Sequence, residues 1–170
     1  MMNINDMKIL CETACRKYNI PFTLPIVINK RFKRTLGQVT YEYQGQIKGV
    51  VPIKFEISEA LLQSCPDNQV KNVVLHECAH YIAAIVTKEN HGHDAYFKSI
   101  CHTIGTTNDG TYYKDEEITK TLSKLDKYII YCPKCGALGG YQRMCATLRN
   151  IESCYCKKCK SYGLYYTENR

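Results

Sequence analysis

The stretch Val73-Val74-Leu75-His76-Glu77-Cys78-Ala79-His80 constrains this chain more than any other. Two histidines stand four positions apart in an apolar setting, and on an α-helix such positions differ by only about 40° around the axis. The imidazoles therefore share a face and can grip one Zn²⁺, each nitrogen about 2.0–2.1 Å from the metal. Glu77 follows His76 and is placed to reach a water at the metal rather than the metal itself. That is a hydrolytic arrangement, in which the metal acidifies the water and the carboxylate takes its proton. Two histidines satisfied in an ordinary core would be the plain alternative. From Val70 to about Thr87, however, Val73, Val74, Leu75, Ala79, Ile82, Ala83, Ile85 and Val86 leave little polar surface. The spacing predicts a helix that is buried at the centre of the fold.

A catalytic zinc needs a third protein ligand and an open position. After the helix comes Lys88-Glu89-Asn90-His91-Gly92, and then His93 opens a second apolar-periodic stretch through Phe97, Ile100 and Ile104. Gly92 permits the sharp turn that brings this second helix back across the first. His93 is the expected third ligand; His91 is open as an alternative, with Glu89 and His102 as weaker rivals. His102, far along the second helix, is expected behind the ligands or in the core. Cys78 reads as a small core residue.

The tail carries a separate metal signature. Cys132-Pro133-Lys134-Cys135 and Cys156-Lys157-Lys158-Cys159 are two Cys-x-x-Cys pairs twenty residues apart, the spacing of a four-thiolate zinc site. Strand-like residues flank them, Tyr128–Tyr131 and Gly163–Tyr166, which predicts a zinc ribbon. Four thiolates close the coordination sphere, so this second zinc is expected to be structural. Cys154 is a possible substitute for Cys156, and Cys145 is expected to pack.

The 170 residues suit one compact domain, 1–123, and a small appendage, 124–170. Neither a secretory signal nor an apolar run of membrane-spanning length is visible. Eleven cysteines in such a chain point to a reducing compartment and to metal binding rather than disulfides. The expected location is cytoplasmic, nucleoid-associated or nuclear if the source is eukaryotic. The net charge of +7 is uneven: residues 124–170 hold nine Lys/Arg against three Asp/Glu. Arg143, Arg149, Lys157, Lys158 and Lys160 interleave with Tyr141, Tyr155, Tyr162, Tyr165 and Tyr166. Cations suit phosphates and tyrosine faces suit exposed bases, so DNA, preferably single-stranded, is the expected partner of the ribbon. A merely solvated surface is the alternative.

The remaining elements follow from periodicity and punctuation. Asp6–Tyr18 predicts an amphipathic helix facing inward with Met7, Ile9, Leu10, Ala14 and Tyr18. Three strands are expected at Ile26–Phe32, Gly37–Tyr43 and Val50–Ile57, with a turn at Gln44-Gly45-Gln46. Pro52 favours an edge position for the third strand, which makes it the candidate for pairing an extended substrate. Ser58 caps a short helix, Glu59–Leu62. Residues 106–113 read as a loop turning at Asn108-Asp109-Gly110, and Asp115–Lys127 as a charged connecting helix.

Taken together, Arg34-Thr35-Leu36-Gly37, then Ile53-Lys54-Phe55-Glu56-Ile57-Ser58 with Leu61, then Leu75-His76-Glu77-Cys78-Ala79-His80 and Gly92-His93-Asp94-Ala95-Tyr96-Phe97, followed by a ribbon, resemble the SprT-like family. The histidine spacing differs from the six-residue step of metzincins. The resemblance implies an α+β, zincin-like domain with a C-terminal β zinc ribbon. It implies His76, His80 and His93 as ligands of a catalytic zinc, Glu77 as catalytic base, and proteolysis of proteins on, or crosslinked to, DNA. Asp94 departs from the family's usual glycine. Tyr112, Tyr113 and His102 are candidates for stabilising the oxyanion. The reading from another class is a non-enzymatic nucleic-acid-binding protein whose His-Glu-x-x-His zinc is structural; the intact Glu77 speaks against it.

Overall fold

The structure, a computed structural model, describes residues 2–32, 35–43, 49–106 and 126–169. The expected turns at 44–46 and 108–110, most of the connecting helix at 115–127, Arg34, Tyr112, Tyr113 and the boundary at 123/124 lie outside the described residues. The chain divides into two compact units, Met1–Lys114 and Asp115–Arg170.

The first unit begins with α1, Ile4–Arg16, which starts earlier than its apolar periodicity predicts. The reason is a capping box: the Asp6 amide donates to the Asn3 side chain at 3.0 Å, and the Asn3 amide donates to Asp6 Oδ2 at 3.0 Å. The inward stripe is Met7, Cys11, Ala14 and Cys15, while Ile9 is 51% exposed, contrary to expectation. Cysteines thus occupy positions that periodicity assigns to a larger aliphatic residue.

Strands β1 (Ile26–Asn29), β2 (Gly37–Tyr43) and β3 (Val50–Ser58) form a sheet of order β1-β3-β2. β3 is therefore the interior strand, parallel to β1 and antiparallel to β2, and not the edge that Pro52 suggested. The proline is tolerated because β1 pairs only with Phe55–Ser58, while Pro52 sits opposite Tyr41 beside a register shift in β2. Ser58 ends β3 and starts α2, Glu59–Ser64, its hydroxyl accepting from the Leu61 amide and donating to the Phe32 carbonyl.

Helix α3, Asp67–Thr87, packs against α1, β2, β3 and α4 (Ala95–Ile104). Thirteen of its residues are buried, His76 and Glu77 among them; Val86, expected inside, is 45% exposed near its end. Tyr81 fixes the helix to the segment leading into β1: its hydroxyl donates to the Pro21 carbonyl at 2.9 Å, and its ring meets Phe22 edge-on at 5.0 Å. At the other end Lys88 turns the chain with φ 64°, and its carbonyl accepts from the Val50 amide at 2.8 Å, tying the start of β3 to the helix C-terminus.

The second unit is a three-stranded antiparallel sheet of order β5-β4-β6, built from β4 (Tyr128–Cys132), β5 (Gly136–Tyr141) and β6 (Tyr165–Glu168). A one-turn helix α5, Ala146–Arg149, and a 3₁₀ turn, Ile151–Ser153, join β5 to the second cysteine pair. Tyr128, Ile130, Cys132, Leu148, Ile151, Cys156 and Leu164 make its small core, with Cys145 packed against them. β6 begins at Tyr165, two residues later than its sequence pattern predicts.

Candidate metal centres

His76 and His80 lie one helical turn apart on α3, and Asp94 sets where the third histidine sits. Its side chain caps α4, accepting from the Phe97 amide at 3.0 Å, and its other oxygen pairs with His91 Nδ1 at 2.8 Å. The Phe97 amide, then His91, hold the Asp94 carboxyl below its ordinary range. The turn so formed presents His93 Nε2 at 3.1 Å from His76 Nε2 and 3.2 Å from His80 Nε2. Two nitrogens bound tetrahedrally at 2.0–2.1 Å would stand about 3.3 Å apart. The three rings thus converge at the spacing that zinc requires.

The surroundings favour neutral imidazoles, the form that binds metal. Burial, then the neighbouring His76 and His93, push His80 down to about 3. Burial, then Lys98, lower His93. Phe97 forms the apolar wall behind them, stacked on His80 at 4.2 Å and meeting His76 and His93 edge-on at 4.9 and 5.0 Å.

The rivals fall elsewhere. His91 uses both ring nitrogens, one on Asp94 and the other on the Thr87 hydroxyl at 2.9 Å. His102, expected behind the ligands or in the core, is exposed in the last turn of α4, and Glu89 is exposed too. Cys78 points away from the triad into the core, its sulfur 3.8 Å from Cys15 and donating to the Cys11 carbonyl. Glu77 is 4% exposed and lies against β2. Tyr41, also on β2, carries no signal in the sequence; burial first, then the charge of Glu77, push its phenol up. Only the β2–α3 packing brings it there, and no spacing in the sequence could have shown it.

In the second unit Cys132, Cys135, Cys156 and Cys159 gather their sulfurs within 4.8 Å of one another. Cys132 and Cys159 are 3.6 Å apart, Cys135 and Cys156 3.8 Å, against about 3.8 Å for two thiolates on one tetrahedral zinc. The two knuckles share a backbone device: the residue after each pair is left-handed, Gly136 at φ 73° and Lys160 at φ 59°. The Ser161 hydroxyl, 2.9 Å from the Cys159 sulfur, draws that thiol down to about 6, while Cys159 first among its neighbours pushes Cys135 up to about 12. Four sulfurs this close ionise together only when a cation compensates them, which is the donor chemistry of a closed zinc site. Cys154 stays outside the cluster, its thiol on the Asn150 carbonyl.

A three-histidine centre with a glutamate beside it is the site of a zinc metallopeptidase, and the four-cysteine cluster is that of a structural zinc. The sequence profile of the SprT-like family matches residues 7–121, and the chain belongs to that family. No curated protein and no solved structure matches the chain. Among the described residues no helix is long and apolar enough to cross a membrane.

Proposed function

We propose that this zinc protease acts on proteins associated with, or crosslinked to, DNA, and that its ribbon contacts a single-stranded segment. The observation that carries the protease reading is the convergence of His76, His80 and His93 beside the buried Glu77. When bound there, Zn²⁺ polarises a substrate carbonyl and makes water acidic enough to deprotonate near neutral pH. The three histidines orient that centre, Phe97 keeps its rear dry, and Glu77 accepts the proton of the attacking water and returns it to the departing amine. Since β3 is interior, pairing of an extended substrate falls to β2, whose other side is unpaired among the described residues and which lies beside Glu77.

The DNA reading rests on the surface of the second unit. Arg143, Arg149, Lys157, Lys158 and Lys160 are all exposed, as are Tyr155, Tyr162 and Tyr165 at 48%, 67% and 49%. Tyr155 and Tyr162 stand 6.0 Å apart, and the Lys160 ammonium lies 5.6 Å from the Tyr155 ring centroid. Exposed rings bracketed by cations suit unstacked bases on a phosphate backbone, each stack contributing about 1–3 kcal/mol. A reducing cytoplasmic or nuclear setting fits free cysteines.

The test is binding of a labelled single strand against salt, with casein cleavage measured with and without that strand. The expected result is steeply salt-dependent binding and stimulated cleavage. Replacing Lys157 and Lys158 with glutamate should weaken binding and flatten the salt slope while zinc content stays unchanged. Binding by the double variant as tight as the parent's would remove the ribbon as the DNA-contacting surface.

A further inference from the structure

Gly37 opens β2 and pairs with Ile57 of β3. Its φ is not in the left-handed region, so the backbone there does not demand glycine. What demands it is space. A Cβ built on Gly37 would fall 2.6 Å from Cγ of Glu77 and 3.1 Å from both its Cδ and its Oε1. Real Cβ contacts do not come that close, and the atom met first is in the middle of the glutamate side chain. A methyl group there cannot be absorbed by moving the carboxylate tip alone; the whole side chain must adopt another rotamer. Both residues are buried, and α3 packs against β2 and β3, which leaves little room for the backbone to give instead.

We propose that Gly37 is a positioning residue for Glu77: the side chain that β2 lacks at this point is a slot in the sheet that fixes where the carboxylate lies beside the histidine triad. The inference rests on Glu77 acting as the base. It assigns a function to the Leu36-Gly37 step, whose neighbouring Leu36 carbonyl is engaged by the Ser58 amide at 2.9 Å and so holds the strand in place. Displacing a general base by about 1 Å costs on the order of a hundredfold in rate, because proton transfer needs hydrogen-bond reach. The zinc ligands lie on α3 and the turn before α4, and the three atoms nearest the slot all belong to Glu77 and none to a ligand.

The experiment is a double-substitution cycle in the zinc-loaded full chain, using a quenched fluorogenic peptide as substrate. Gly37→Ala should keep its zinc content, keep KM within about twofold, and lose roughly ten- to a hundredfold in kcat. It should also melt at a lower temperature than the parent. In a Glu77→Ala background, where the clashing atoms are gone, the same Gly37→Ala change should cost little or no melting temperature, since the new methyl fills the space the glutamate left. Unchanged kcat in Gly37→Ala would overturn the proposal. So would an equal loss of melting temperature in both backgrounds, which would show that the glycine serves the sheet and not Glu77. Activity retained by Glu77→Gln would sink the role of Glu77 as base, and the melting cycle would still decide independently whether Gly37 makes room for that side chain.

Discussion

At the scale of single residues, the chemistry concentrates on one buried carboxylate and three converging imidazoles, of which burial lowers His80 and His93. Glu77→Gln preserves volume and polarity while removing the basic oxygen. It should hold both zinc ions and the parent's melting temperature while losing about 10²–10⁴ in turnover. Metal analysis and peptide hydrolysis on the same preparation check this. His93 and His91 make a second contrast, because only His93 faces the other two rings. His93→Ala should therefore lose the zinc of the first unit, whereas His91→Ala should retain it with lower affinity. The reverse outcome would exchange their roles.

At the scale of elements, the turn between α3 and α4 is a small clamp. Thr87 ends α3, its hydroxyl 2.8 Å from the Ala83 carbonyl and 2.9 Å from His91 Nε2. His91 holds Asp94, and Asp94 caps α4. The family resemblance leads to a glycine at position 94; the aspartate there caps the helix as glycine cannot, since it has a side chain to accept the Phe97 amide. Asp94→Ala should loosen the turn, weaken zinc binding roughly tenfold in a chelator competition, and leave the ribbon's zinc unaffected. Zinc affinity equal to the parent's would mean that α3 and Phe97 suffice to place His93.

At the scale of the whole molecule, two units carry two different metal chemistries. Protein purified without chelator should contain two zinc ions per chain. Cys135→Ser should release one and unfold the second unit, whose core numbers seven buried residues among the described ones and leans on its metal. Peptide hydrolysis by the first unit should persist in that variant, while any stimulation by DNA should disappear. A stoichiometry near one in the parent would remove one of the two sites.

The sequence alone determined both ligand sets where the geometry is local. An i, i+4 pair on a helix and two Cys-x-x-Cys knuckles carry their own spacing, so His76, His80 and the four ribbon cysteines were legible without a fold. Gly37–Tyr43 was legible as a strand for the same reason, a period of two in its own residues. Tertiary structure decided what depends on neighbours. The strand Gly136–Tyr141 carries three glycines and no strong pattern; pairing with β4 makes it a strand. Strand order is invisible to periodicity, so Pro52 points to an edge although β3 is interior, and the short reach of β1 with the register shift in β2 explains why β3 tolerates it. His93 was separated from His91 by the cap on α4, and the packing of Glu77 on Gly37 joins residues forty positions apart. Contacts of that kind exist only after the chain has folded back on itself, because nothing in the local sequence encodes the distance between two elements.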